Sequence, residues 1–197
     1  VIHFAQISKN GAEYAKEAIN ETDNNKLNTL KEKLVKYEEI SDRIEYEIAT
    51  FLNSVSNESI SEATSVKIKA MYKIIGELES LGDSGSAISR ILSRRNSHKK
   101  TFDEATIKKL QEMIELVDCA YEVMIDNLTK AKKGSVEDIS NAYNAENHIN
   151  ALRNKLRDRE IEDIETGEKN YQTSVYYMDI VNELERMGDF IINISED

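Results

Sequence analysis

A seven-residue motif occurs twice in this chain, 106 positions apart, and five of its seven residues are identical. The copies are Glu77-Leu78-Glu79-Ser80-Leu81-Gly82-Asp83 and Glu183-Leu184-Glu185-Arg186-Met187-Gly188-Asp189. Upstream of them a weaker match, at an offset of 108, places Glu38 opposite Glu146 and Asp42 opposite Asn150. Repetition at a fixed spacing indicates duplicated structural units. The sequence therefore predicts two similar halves, residues 1–98 and 99–197.

The composition favours helix in both halves. None of the 197 residues is proline, seven are glycine, and Lys, Glu, Leu, Ile and Asn are abundant. Break signals predict helices near residues 2–21, 26–55, 60–95, 103–133, 135–165 and 168–196. Thr101 and Glu104 fit a capping box at the start of the fourth helix, and Ser135 fits the N-cap of the fifth.

Apolar residues in the third and sixth helices recur every three or four positions, which is the spacing of a buried helical stripe. These residues are Met71, Ile74, Ile75, Leu78 and Leu81, and then Tyr177, Ile180, Val181, Leu184 and Met187. Long helices joined by short turns pack antiparallel. The predicted fold is therefore all-α, with six long helices in two tandem three-helix bundles, joined by a solvated basic linker over residues 94–100.

Charge and cysteine content exclude several classes of function. The formal net charge is −11 and the sequence pI is about 4.9, which argues against nucleic-acid binding. Cys119 is the only cysteine, so no internal disulfide can form, and its apolar neighbours predict a core position. There is no apolar run of membrane-spanning length and no P-loop. Because the chain starts with Val1, we expect a piece of a longer protein.

Acidic residues four positions apart lie on one face of a helix, one turn from each other. Three such pairs occur here, namely Glu38 with Asp42, Glu79 with Asp83, and Glu185 with Asp189. The last two pairs border the apolar stripe, in the same phase relative to Gly82 and Gly188. The two like charges of a pair repel each other, and a bound cation or basic residues can relieve that repulsion. A single pair can also belong to an ordinary solvated face. Both glycines are predicted to be helical and to allow close approach of another helix.

The residues around the second motif resemble the PhoU family of phosphate-regulation proteins. The resemblance consists of Leu184 to Asp189, the apolar run and Asn193-Ile194 that follow, and an acidic pair in the preceding helix, and it covers nearly the whole chain as two repeats. It implies six helices in two bundles and metal ions, commonly iron or zinc, bound by acidic motifs. The implied metal ligands are Glu38, Asp42, Glu79 and Asp83 in the first half, and Glu146, Glu185 and Asp189 in the second. Asn150 departs from the pattern, because a neutral amide replaces a carboxylate.

The resemblance also implies a partner and a location. PhoU domains act either as free regulators of a phosphate ABC transporter and its sensor kinase, or as cytosolic C-terminal domains of sodium/phosphate cotransporters. The start at Val1 favours the second setting: a cytoplasmic, non-catalytic regulatory domain tethered to the inner membrane, with the membrane phosphate transporter as its partner. Homo-oligomerisation is left open.

Two other classes of function stay in view. Di-iron oxidation in helical bundles requires Glu-x-x-His motifs, which none of His3, His98 and His148 completes. A structural interaction domain without metal would also have this composition, and metal content separates it from the regulatory reading.

Overall fold

The computed structural model describes residues 1–134 and 138–197, and the described residues form six α-helices without a strand. The predicted all-α, six-helix fold is confirmed. The helices are α1 (Ile2–Asn20), α2 (Asn24–Ser56), α3 (Glu62–Ser97), α4 (Glu104–Lys132), α5 (Ser140–Glu165) and α6 (Tyr171–Glu196). None of the helices in the described ranges combines the length and the hydropathy that a membrane span requires.

Polar side chains define where several helices begin. Asp23 caps α2 by accepting from the amides of Asn25 and Lys26, and Ser61 and Asn170 cap α3 and α6 in the same manner. These side chains satisfy backbone amides that have no partner inside the first helical turn.

The predicted start of the fourth helix is wrong in its cap. Asp103, not Thr101, is the N-cap of α4, and its carboxylate accepts from the amide of Thr106 at 2.7 Å. Glu104 is therefore the first residue of the helix and cannot complete a box with Thr101. The helix α5 begins at Ser140, and the predicted cap Ser135 lies outside the described residues.

Each half of the chain packs its three helices against one another, and the halves meet through α3 against α6 and α1 against α4. One continuous apolar core runs through both halves. The division into residues 1–98 and 99–197 stays a prediction. Its boundary falls in the connection between α3 and α4.

The predicted apolar stripes of α3 and α6 lie in the buried core, with one exception. Ile75, Leu78 and Leu81 are buried, as are their counterparts on α6, but Met71 is 39% exposed. The two helices run antiparallel, since Lys73 near the start of α3 pairs with Asp197 at 2.7 Å. Met71 lies one turn before Ile75, toward the N-terminal end of α3, where the bundle covers it only in part.

Cys119 is exposed, so its predicted core position is wrong. The buried face of α4 consists of Val117, Ala120, Tyr121 and residues in the same phase, and Cys119 is rotated away from it. The neighbouring apolar residues belong to that face. They gave no information about the phase of Cys119 itself.

The predicted basic linker also differs from the structure. Residues 94–97 continue α3, and Arg95 is 3% exposed, with its guanidinium 4.7 Å from the ring centre of Phe102. This contact is a cation–π interaction that compensates part of the cost of burying a charge. The turn itself is made at Lys99, whose φ of 54° lies in the left-handed region.

Candidate functional site

Five carboxylates from α2 and α3 lie close together on the first half of the molecule. We call this group the first acidic cluster; it consists of Glu38, Asp42, Glu45, Glu79 and Asp83. The four sequence-predicted ligands of the first half are therefore brought together. Glu45, one turn beyond Asp42 on α2, was not predicted.

Burial and mutual repulsion both raise the pKa values of carboxylates in this cluster. Burial raises the pKa of Glu79 to about 7, with further contributions from the charge of Asp83, a hydrogen bond to Asp83, and the charges of Glu45 and Asp42. Burial and the neighbouring carboxylates Glu38 and Asp83 also raise the pKa of Asp42. Among the described residues, the charges that raise the pKa of Glu79 and Asp42 are all carboxylates, so a proton or an external cation is needed to relieve the repulsion.

The helices that carry the first acidic cluster approach each other closely. A Cβ atom on Gly82 would lie 3.4 Å from the hydroxyl of Ser41 on α2, which confirms the predicted role of this glycine. The same approach lets Ser86 of α3 donate to Glu38 at 2.7 Å. Hydrogen bonding to this hydroxyl orients one carboxylate of the cluster but supplies no positive charge.

The second half carries three of the predicted ligands, again on neighbouring helices. Glu146 lies on α5, and Glu185 and Asp189 lie on α6; we call these three the second acidic cluster. Asn150 donates to Glu146 at 2.6 Å. Gly188 permits close packing here too, since a Cβ atom on it would lie 3.0 Å from Cδ1 of Ile149.

A cation belonging to the chain already occupies this second location. The guanidinium of Arg153 on α5 lies 3.1 Å from the carboxylate of Glu185, and both side chains are largely buried. Burial raises the pKa of Glu185 and Asp189, while the positive charges of Arg153 and Arg186 act in the opposite direction on both. The second acidic cluster is thus partly neutralised from within.

The difference between the two clusters can be traced to single positions in the duplication. At the offset of 108 that aligns Glu38 with Glu146, Glu45 aligns with Arg153 and Asp42 with Asn150. The first half therefore has acids where the second has an amide and a guanidinium. Sequence reasoning missed Glu45 and Arg153, although extending the alignment by one further helical turn would have revealed both.

The chemistry of the first acidic cluster suits a metal ion. Carboxylate oxygens are the ligands that hard cations prefer, and the five carboxylates of the cluster have more oxygens than are used by the hydrogen bonds from Ser86 to Glu38 and between Glu79 and Asp83. Among the side chains that the structure describes, no three His, Cys, Asp or Glu residues already converge in the geometry of a metal site. Binding would therefore require these side chains to reorient toward a common ion, and the predicted metal ligands stay a prediction.

Comparisons with known proteins support the family resemblance. The family model of the PhoU domain matches residues 110–197, which include the whole second acidic cluster. No curated protein matches the sequence.

Solved structures extend the likeness to the full chain. PhoU from Pseudomonas aeruginosa superposes with a TM-score of 0.84 at 13% identity, over 98% of this chain and 89% of that one. The phosphate transport system regulatory protein PhoU from Streptococcus pneumoniae gives 0.78 at 16% identity, over 99% and 87%. A PhoU-like protein from Shewanella oneidensis MR-1 gives 0.73 at 14% identity, over 99% and 93%. The predicted PhoU-like character is confirmed: by sequence for residues 110–197, and by fold for the whole chain.

Proposed function

We propose that this PhoU-like domain regulates phosphate transport without catalysing a reaction, and that it binds a metal ion at the first acidic cluster. The regulatory part of the proposal is supported by the PhoU domain match and by the likeness to a PhoU described as a phosphate transport system regulatory protein. The metal part is supported by the residues of the cluster itself.

The observation that carries the metal proposal is that, within the described residues, the charges that shift the pKa of Glu79 and Asp42 are all negative. Burial and the neighbouring carboxylates raise the pKa of Glu79 to about 7, and a divalent cation would remove the repulsion between these carboxylates at neutral pH. Iron and zinc are the metals that the resemblance implies. Oxygen-only ligands are also compatible with manganese, magnesium and calcium.

The same reasoning assigns the second acidic cluster a different state. With Arg153 beside Glu185 and Asn150 in place of an acid, this location has less negative charge and a built-in counter-ion. A divalent cation would have to compete with the guanidinium for the same carboxylate. We therefore propose that the two halves are functionally unequal, with the metal in the first half alone.

Thermal unfolding in the presence of metal tests this assignment. In the Glu79→Gln, Asp83→Asn double variant, the stabilisation of the protein by saturating Fe²⁺, Mn²⁺ or Zn²⁺ should be lost. For a site that is saturated a hundredfold above its Kd, linkage makes that stabilisation about 3 kcal/mol. The matched control is Glu185→Gln with Asp189→Asn, which changes the equivalent pair and should keep the metal-dependent shift. Equal shifts in both double variants would contradict the assignment.

For the partner, we propose the membrane phosphate transporter, with this domain as the cytosolic, membrane-tethered part of a sodium/phosphate cotransporter. Removing the coding region for residues 1–197 from the complete protein should leave membrane insertion intact and change the dependence of uptake on phosphate. Unchanged uptake kinetics would contradict the tethered role.

A free-standing regulator of a phosphate ABC transporter is the second candidate. The observation that favours it is the likeness to a structure from Streptococcus pneumoniae that is described as the phosphate transport system regulatory protein PhoU. The sequence of the complete gene upstream of Val1 separates the two settings, since membrane spans there are expected only for the cotransporter.

A further inference from the structure

A groove of about 720 Å³ runs along the seam where α3 meets α6, with one residue of α2 at its edge. It is set apart from the rest of this acidic protein by its basic lining. The residues that line it are Lys31, Ala87, Arg90, Ile91, Ser93, Arg94, Asp179, Asn182, Glu183 and Arg186.

The positive charges of the groove exceed its negative ones. Lys31, Arg90 and Arg94 form no ion pair with any residue in the described ranges. Arg186 pairs with Glu183 at 3.2 Å, so that those two charges cancel. Asp179 then remains against three cations. A local excess of about two positive charges in a chain of net charge −11 attracts anions into this groove.

The basic character is specific to one end of the seam. The duplication relates the two ends of the α3 and α6 pair, and at the other end Lys73 is neutralised by Asp197 and Glu77 accepts from Asn193. At the offset of 106, Arg90 corresponds to Glu196. The groove is therefore not a feature that both repeats share, and its arginines belong to this location alone.

The donors present are those that recognise phosphate groups. Guanidinium groups bind phosphate oxygens through pairs of parallel hydrogen bonds, and the amide of Asn182 adds a neutral donor. A volume of about 720 Å³ is in the range of small-molecule sites and far exceeds a single phosphate ion.

We infer that this basic groove binds a small anion that carries several phosphate groups. Inorganic polyphosphate and a nucleoside triphosphate share this chemistry, and both bring enough negative charge to use all the cations. Arg90 lies seven residues after Asp83 on the same face of α3, about 10 Å along the helix axis. The ligand would therefore bind near the first acidic cluster but not on it, and its binding does not depend on the proposed metal.

Calorimetric titration of the metal-free, chelator-treated chain tests the inference, with tripolyphosphate and ATP as probes at low salt. Both should bind saturably, with one ligand per chain and with affinity that falls as NaCl is raised. The Arg90→Gln, Arg94→Gln double variant should bind at least about tenfold more weakly, because two charge-assisted contacts are lost. Both arginines are exposed, so the variant should keep its fold, which circular dichroism verifies.

The matched control is Lys67→Gln with Lys69→Gln, which removes the same charge from exposed positions near the other end of α3. It should bind both probes as the unmodified chain does. Equal affinities for the two probes would identify the phosphate chain as the recognised part, and tighter binding of ATP would identify a nucleotide ligand. Failure of both probes to bind saturably, or the same loss of affinity in the control variant, would overturn the inference.

Discussion

Replacing Arg153 by Gln should expose how much the second acidic cluster depends on its built-in cation. The guanidinium lies 3.1 Å from Glu185, and the two side chains are 24% and 17% exposed. Two opposite charges about 4 Å apart attract by about 4 kcal/mol at an effective dielectric constant of 20, and the cost of desolvating them offsets much of that gain. We expect the variant to lose about 1–2 kcal/mol of unfolding free energy at pH 7, since Glu185 is left partly buried without its partner.

Urea unfolding in the presence of a chelator measures this loss. Arg43→Gln is the matched control, because Arg43 also pairs with a glutamate, Glu47, at 2.9 Å, but with side chains that are 80% and 62% exposed. A pair so exposed contributes at most a few tenths of a kcal/mol. The difference between the two variants should shrink in acid, as Glu185, whose pKa burial raises, takes up a proton. Equal unfolding free energies for both variants at pH 7 would refute the proposed counter-ion role.

Three further substitutions test the structure elsewhere. Because the pKa of Glu79 is raised to about 7, its charge destabilises the metal-free fold increasingly between pH 4.5 and 7. In urea unfolding, Glu79→Gln should therefore raise the free energy of unfolding by about 1 kcal/mol at pH 8, after allowance for solvent screening, and should leave it unchanged at pH 4. Asp103→Ala should lower the free energy of unfolding by about 1–2 kcal/mol at neutral pH, because the N-cap of α4 is lost. Since the pKa of Asp103 is lowered to about 2, the unmodified protein should lose this contribution only as the pH falls from 3.8 to below about 2. In thermal unfolding, Gly188→Ala should be less stable than Gly82→Ala by about 1–2 kcal/mol. The new Cβ atom at position 188 would lie 3.0 Å from Ile149, whereas the one at position 82 would lie 3.4 Å from the hydroxyl of Ser41.

The fold could be predicted from the sequence because several local signals agreed. The duplicated motif, the complete lack of proline and the three-and-four apolar spacing all indicate six long helices, and five of the six helices begin within about three residues of the predicted positions. The errors arose where the local sequence offered two candidate residues for one role, or gave no information about the position of a residue. Asp103 displaced Thr101 as a cap because it is one turn from Thr106. The partial exposure of Met71 depends on how α3 packs against its neighbours, which is a property of the assembled bundle.

The candidate site was predictable in position but not in charge. The spacing of Glu79 and Asp83 placed them on one face, and the family resemblance implied that Glu38 and Asp42 belong to the same location. Glu45 and Arg153 are not members of the acidic pairs spaced four positions apart, so a search for such pairs did not reach them. Their effect comes through contacts between two helices, which only the packed structure defines.

Metal stoichiometry in a redesigned second acidic cluster tests whether Arg153 and Asn150 make the two halves unequal. Asn150→Asp with Arg153→Glu gives the second half the acidic pattern of the first. After dialysis against metal and removal of the excess, elemental analysis should find in the unmodified chain only the metal expected for the first acidic cluster. The double variant should contain an additional equivalent per chain. A stoichiometry that the two substitutions leave unchanged would contradict the claim that Arg153 and Asn150 keep the second half free of metal.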